Sequence, residues 1–309
     1  MTTDSNRAET GAVLITGANG HLGRRLVEHL AGQYPVKAVV RSERARRQLE
    51  AAPKAAGIEI VTLDYGDREA LAAAAEGCSH AVHLVGIIKE SMTTTYRQAH
   101  EEATQALIAA ADAVRLQRII YLSIYGSHPD SGNACLASKG RAERLLLQAN
   151  TAALILRVPM VLGEGDYAAA ALRKRVEAPV NLLIRGSSLE QPIYAGDVIS
   201  AIAAGISRAD LDDVVLDLAG PESLSRSDLT LRAGEIMGRR PRSLSLPLAV
   251  GTTLAFLLET ISRNPPLTRA MLGVLDHDDD VDTAGACNRL GIELTPLDEM
   301  LLYCLDESD

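Results

Sequence analysis

The chain has no surplus of positive charge: 40 acidic side chains outnumber 31 basic ones, for a formal net charge of −9 and a pI near 5.3. Nonspecific nucleic-acid binding needs a basic field to displace counterions, so no nucleic-acid partner is expected. Cysteine is scarce. The four thiols, Cys78, Cys135, Cys287 and Cys304, show no CxxC spacing, no companion histidine pattern and no small secreted scaffold to staple. They read as reduced thiols. Met1–Glu9 is polar and lacks the apolar stretch of a signal peptide, so the expected location is cytoplasmic. Apolar runs of bilayer length are also missing. The most apolar stretch, Leu244–Leu258, is broken by Ser245, Pro247, Gly251, Thr252 and Thr253, so no transmembrane segment is expected. It reads as a buried helix or pocket wall; the alternative is a weak peripheral contact with a membrane surface, since Arg242 and Arg263 flank it. The acidic run Asp276, Asp278, Asp279, Asp280 and Asp282 lacks the glycine and terminal glutamate of a calcium loop, and His277 within it has no second histidine. A solvated loop and no metal are expected there.

What is present begins with Val13-Leu14-Ile15-Thr16-Gly17-Ala18-Asn19-Gly20-His21-Leu22-Gly23. An apolar strand runs into three glycines spaced GxxGxxG and then into the amphipathic Leu22–Leu30 stretch, which makes a dinucleotide cradle. Gly17 makes the tight turn, Gly20 lets backbone touch a pyrophosphate, and Gly23 lets the helix lie close on its strand. The unpaired amides and positive dipole end of that helix favour the diphosphate. Asn19, His21 and Leu22 fill the same loop.

The second strand bears on which dinucleotide is held. Val36–Val40 ends at Arg41-Ser42, about where an NAD-selecting fold places the acid that bonds the ribose 2′-hydroxyl. Arginine cannot accept that bond, whereas its guanidinium fork matches a 2′-phosphate, so NADP(H) is favoured over NAD(H). The alternative assigns Arg41, with Arg44, Arg46 and Arg47, to a solvated basic helix. The third strand, Ile58–Leu63, ends in Asp64-Tyr65, placed to bond and cover the adenine or to cap the next helix near Asp67.

With 309 residues, 47% of them apolar, the chain can bury a large core. Strand-like runs near 12–16, 36–41, 58–63, 79–85, 118–122 and 153–157 alternate with helical patterns, which implies βαβ crossovers and a doubly wound parallel α/β sheet. Tyr96, Ala99, Ala103, Ala106, Leu107, Ala110 and Val114 mark one long sheet-covering helix. The expected division is a Rossmann domain over 11–165, its sheet completed by parts of 180–220, and a smaller substrate lobe over 166–309. Within that lobe the sequence predicts a strand over Val180–Ile184, a helix over Asp197–Ser207 capped by Asp197, a strand over Val214–Leu218, and a helix opened by the capping signal at Ser225.

In such sheets ligands lie outside the carboxyl ends of the strands. The residues just after strands four, five and six are His83-Leu84-Val85-Gly86, Ser123-Ile124-Tyr125-Gly126 and Arg157-Val158-Pro159-Met160. The order TGANGHLG, DYGD, HLVG, YLSIYG, SKGRAE and LRVPMVLGEGD resembles the extended and atypical short-chain dehydrogenase/reductase superfamily. VHLVGI, RQAHEEATQALI, QPIYAGDV and NPPLTR are similar to the group that includes the dehydrogenase-like accessory subunit of respiratory complex I and its free-standing bacterial relatives.

The resemblance implies a nicotinamide cofactor touched by Val85, Gly86 and Pro159, and hydride transfer through a YxxxK pair with a strand-five serine. The lysine matches at Lys139, which also bonds the nicotinamide ribose in that superfamily, and the serine at Ser123. The tyrosine position is Cys135. A thiol is a weak donor and does not place a proton where a phenol would. Tyr125, His100, His83 or Cys135 itself are the alternative proton donors. Two functions follow: an NADP(H)-dependent oxidoreductase acting on a carbonyl or hydroxyl of a largely apolar small molecule, or a non-catalytic NADPH-binding assembly or redox-sensing protein. The sequence sets no oligomeric state.

Overall fold

A computed structural model describes residues 11–51, 58–262, 265–274 and 277–305; Met1–Glu9, Arg263, Asn264 and Asp276 lie outside the described residues. The chain forms two compact units. One takes in the described residues up to Arg157 together with Ile199–Leu216, the other Val158–Val198 and the described residues from Asp217 onward.

The first unit runs β1 (Ala12–Thr16), α1 (His21–Leu30), β2 (Val36–Val40), α2 (Glu43–Glu50), β3 (Ile58–Thr62), α3 (Arg68–Ala75) and β4 (Cys78–His83). It continues through α4 (Ala103–Val114), β5 (Arg118–Ile124), α5 (Ala134–Leu147) and β6 (Ala152–Val158). In the rest of the chain come β7 (Val161–Leu162), α6 (Tyr167–Glu177), β8 (Val180–Ile184), β9 (Leu189–Glu190), β10 (Ile193–Tyr194), α7 (Ala195–Ser207) and β11 (Val214–Asp217). The last elements are β12 (Leu224–Ser225), α8 (Arg226–Ile236), β13 (Arg242–Leu246), α9 (Leu248–Ile261), α10 (Arg269–Val274), α11 (Ala284–Leu290) and α12 (Leu297–Leu305).

The main sheet has seven strands in the order β11-β6-β5-β4-β1-β2-β3. Its central strands pair in parallel, β1 with both β2 and β4. Strands covered on both faces read as continuous apolar runs, and Val13, Leu14 and Ile15 are fully buried. Winding reverses between β1 and β4, which opens a crevice at their carboxyl ends. Below it, Leu14, Val39, Ala81, Leu107, Ile119, Tyr121, Leu146 and Ile155 share one core cluster.

The expected single α-helix over Tyr96–Val114 is two structures: a π-helical turn, Arg97–Glu102, leading into α4. Wider winding of this kind breaks the 3.6-residue period locally and recurs at functional sites. Here it carries the wholly buried His100.

In the second unit, α6, α8 and α12 bury Leu172, Val176, Leu229, Ala233, Met300 and Leu301 against one another. Three expectations need correction there. Asp197 is not a cap: it lies within the first turn of α7, where its carboxylate accepts the amide of Thr295 at 2.9 Å and its hydroxyl at 2.8 Å. The acidic run is more than a solvated loop. Asp279 is buried, and Asp278 accepts the Ser188 hydroxyl at 2.8 Å and the Leu189 amide at 3.0 Å. Leu244–Leu258 is not a buried wall either, because only Gly251 and Ala255 of α9 are buried, while Leu244, Leu254, Phe256 and Leu257 are exposed.

Close backbone approach fixes α5. A side-chain carbon on Gly140 would lie 2.3 Å from the carbonyl carbon of His128. Gly140→Ala is therefore expected to destabilise the chain by about 1–3 kcal/mol. An unchanged urea midpoint would refute the contact.

Candidate functional site

The β1 end of the crevice is built from backbone. Gly17 adopts φ +77°, a left-handed conformation that glycine takes without strain. A side-chain carbon at Gly23 would stand 2.4 Å from the Gly17 carbonyl oxygen. The start of α1 is thereby drawn against the end of β1. No side chain caps α1 at Gly20 and no acid occupies its first turn, which leaves the helix end fit for a diphosphate.

A cavity of about 400 Å³ opens beside this loop. Gly17, Asn19, Gly20, Arg41, Ser42, Asp64 and Tyr65 line it on the β1–β3 side, and Val85, Gly86 and Ile87 after β4. His21, Leu22 and Gly23 begin α1 and do not line it. Neither do Ser123, Cys135 and Lys139; Pro159, in the second unit, is also not among its lining residues.

Several lining residues serve the local chain as well. Tyr65 accepts the Gly17 amide at 3.1 Å and donates to the Val39 carbonyl at 3.3 Å, which holds the glycine loop to β2. Ser42 caps α2 by accepting the Ala45 amide at 3.2 Å, and Asp64 accepts the Gly66 amide at 2.8 Å. Asp67, not Asp64, caps α3. Arg41 donates to the Thr94 hydroxyl at 3.2 Å. Thr93, Thr94, Gln98 and Glu102 also line the cavity, a contribution sequence reasoning missed. The long connection between β4 and the π-helical turn that begins at Arg97 is the sequence signal that could have found them.

Behind Gly86 lies a second, buried group of polar side chains. Lys139 donates to the Leu122 carbonyl at 2.9 Å and stands 4.4 Å from the centre of the Tyr121 ring. Burial lowers its pKa to about 8, opposed by Cys135 and Glu143. Cys135, fully buried, donates its thiol hydrogen to the Ile87 carbonyl at 3.5 Å, and burial pushes that thiol up to about 11 against the pull of Lys139. His100 Nε2 accepts the Ile87 amide at 3.1 Å, which places its proton on Nδ1. Ile87 is therefore held through both of its backbone groups, its N–H by His100 and its carbonyl by Cys135.

Ser123 is engaged elsewhere. Its hydroxyl donates to Glu143 Oε1 at 2.5 Å, and Glu143 is bound by Arg157 at 2.5 Å. His83 lies 2.6 Å from the Thr16 hydroxyl and stacks on Tyr121. Burial, reinforced by the Lys139 charge, lowers both His83 and His100 to about 3. Neither carries a charge near neutral pH. Tyr125 is half-buried on the turn at Gly126.

The model of an NAD(P)H-binding family matches residues 17–179. A ceramide reductase of Caulobacter vibrioides is 30% identical over 80% of this chain and 76% of its own length. The mitochondrial NADH-ubiquinone oxidoreductase 40 kDa subunit of Neurospora crassa is 21% identical over 90% of this chain and 74% of its own. Among solved structures, an NADPH-dependent quinone oxidoreductase from Escherichia coli, complexed with NADPH, superposes with a TM-score of 0.73 at 22% identity, covering 94% of this chain and 98% of that one. Other neighbours of this fold hold NAD. The chain belongs to the NAD(P)H-binding family, with the extended short-chain dehydrogenase/reductase-like Rossmann fold. Its fold is one shared by an NADPH-dependent quinone oxidoreductase and a nucleoside-diphosphate-sugar epimerase.

The buried histidines set an acid limit. His80, lowered to about 4 by burial and the Arg118 charge, joins His83 and His100 at about 3, against 6.5 when unfolded. Between those values the unfolded chain binds more protons, so stability falls as pH drops below about 6.5. Denaturation midpoints measured from pH 7 to 4 should decline, less steeply in His83→Gln; a flat profile would contradict the burial.

Proposed function

We propose that the chain is an NADP(H)-dependent reductase acting on a carbonyl of a largely apolar small molecule, with Cys135 in the proton-donor position. The observation that carries this reading is the placement of Lys139. A side-chain carbon on Gly86, a wall of the cavity, would lie 3.1 Å from Lys139 Nζ, so a buried cation stands directly behind the nucleotide cavity. The ceramide reductase relative supports an apolar substrate; the stretch Leu244–Leu258, being exposed, does not.

When bound, the reduced nicotinamide supplies a hydride to the carbonyl carbon. The chain must add a proton at the oxygen and stabilise the charge that gathers there. The Cys135 thiol, held up at about 11, stays protonated at neutral pH and has that proton to give. Lys139, charged below about 8, steadies the thiolate left behind. Ser123, committed to Glu143, acts as a positioning residue that ties β5 to α5. Arg41 lines the cavity beside Ser42, which supports recognition of a 2′-phosphate.

One observation favours a second reading, an NADPH-holding assembly or redox-sensing protein: the thiol hydrogen is directed at the Ile87 carbonyl and Cys135 has no exposed surface.

Given NADPH and a panel of long-chain ketones, the protein should oxidise the coenzyme, and Lys139→Met should slow turnover by about 100-fold or more while still binding NADPH. Tight NADPH binding without turnover on any member of the panel would leave the second reading. Arg41→Ala should weaken NADPH by about 10-fold or more and NADH little, since only NADPH offers the 2′-phosphate to a charge-assisted bond. Equal losses would place Arg41 outside the coenzyme site.

A further inference from the structure

We propose that the exposed apolar face of the second unit, built from β8, β13 and α9, seats the protein on the surface of an anionic lipid bilayer. Strands β8 and β13 pair in parallel with Val180 beside Arg242 and Leu182 beside Leu244. Leu182 is 66% exposed and Leu244 55%. Helix α9 lies against the Ile184 end of this ribbon, where Gly251 leaves room for the Ile184 side chain.

The helix presents its apolar residues outward. Val250, Leu254, Leu257 and Ile261 recur at the spacing of one helical face and are exposed by 47%, 50%, 49% and 83%. Phe256 is exposed on another side of the same helix. A stripe of this kind in a water-facing helix costs free energy unless something apolar covers it. The sole charged side chain of α9, Glu259, is paired with Arg269 at 2.8 Å.

Charge identifies what covers it. The segment entering β13 carries Arg239, Arg240 and Arg242, all exposed, in a chain whose net charge is −9. Arg269 adds a guanidinium 5.3 Å from the Phe256 ring. The exposed acids adjoining in sequence are Glu177 before β8 and Glu235 in α8. Concentrating exposed basic side chains at the Arg242 end of the apolar β8–β13 ribbon, against the sign of the whole protein, matches a surface seated on anionic headgroups. A second copy would bring a like-charged rim instead. Among the described residues, no helix is long and apolar enough to cross a membrane, so α9 lies on the surface. The proposal is independent of the chemistry at Cys135.

The test is flotation of the full chain with vesicles of phosphatidylcholine alone or mixed with phosphatidylglycerol. Binding to the mixed vesicles is expected, weakening about fivefold for each of Arg239→Ala and Arg240→Ala. Leu254→Glu combined with Ile261→Glu should reduce it at least about tenfold. NADPH uptake by these variants should stay unchanged, which separates loss of docking from loss of fold. Undiminished flotation of the double glutamate variant, or no flotation of the parent chain, overturns the proposal. So does a lipid-free dimer that the same glutamates split and that ignores vesicles.

Discussion

The structure of the first unit depends on how near two pieces of backbone come at the end of β1. With no side chain at Gly23, the first turn of α1 closes on Gly17 and Ala18, where any added carbon would stand 2.4 Å and 2.8 Å from backbone atoms. That contact aims the uncapped amides of α1 at the crevice formed by the reversal of strand order. Tyr65 reinforces it from the turn after β3 by bonding both Gly17 and Val39. A side-chain carbon at Gly23 would force the helix end away from β1.

The same logic of missing side chains operates at the other wall. Gly86 leaves space for Lys139, and the next residue, Ile87, is held through its N–H by His100 and through its carbonyl by Cys135. The π-helical turn is what delivers His100. Burial then sets the protonation of the whole group: neutral imidazoles, a protonated thiol, and a lysine whose charge is lost above about pH 8. Such a cluster is poised around one cation.

Much of this was legible in the sequence. Strands covered on both faces announced themselves as unbroken apolar runs, and the three glycines marked the place where the backbone of α1 closes on the end of β1. What escaped depends on long-range contacts. Nothing local tells that Ser123 is claimed by Glu143 and Arg157, or that Asp197 turns to Thr295 instead of capping α7. The apolar content of α9 says that something must cover it, not that its own chain does. The period of Tyr96–Val114 matched a helix, but an average over the segment hides one wide turn.

The account stands on the cradle. Calorimetric titration of the folded chain with NADPH tests it most directly: uptake of one equivalent per chain is predicted, with NADH bound more weakly. A folded chain that takes up neither coenzyme would contradict it.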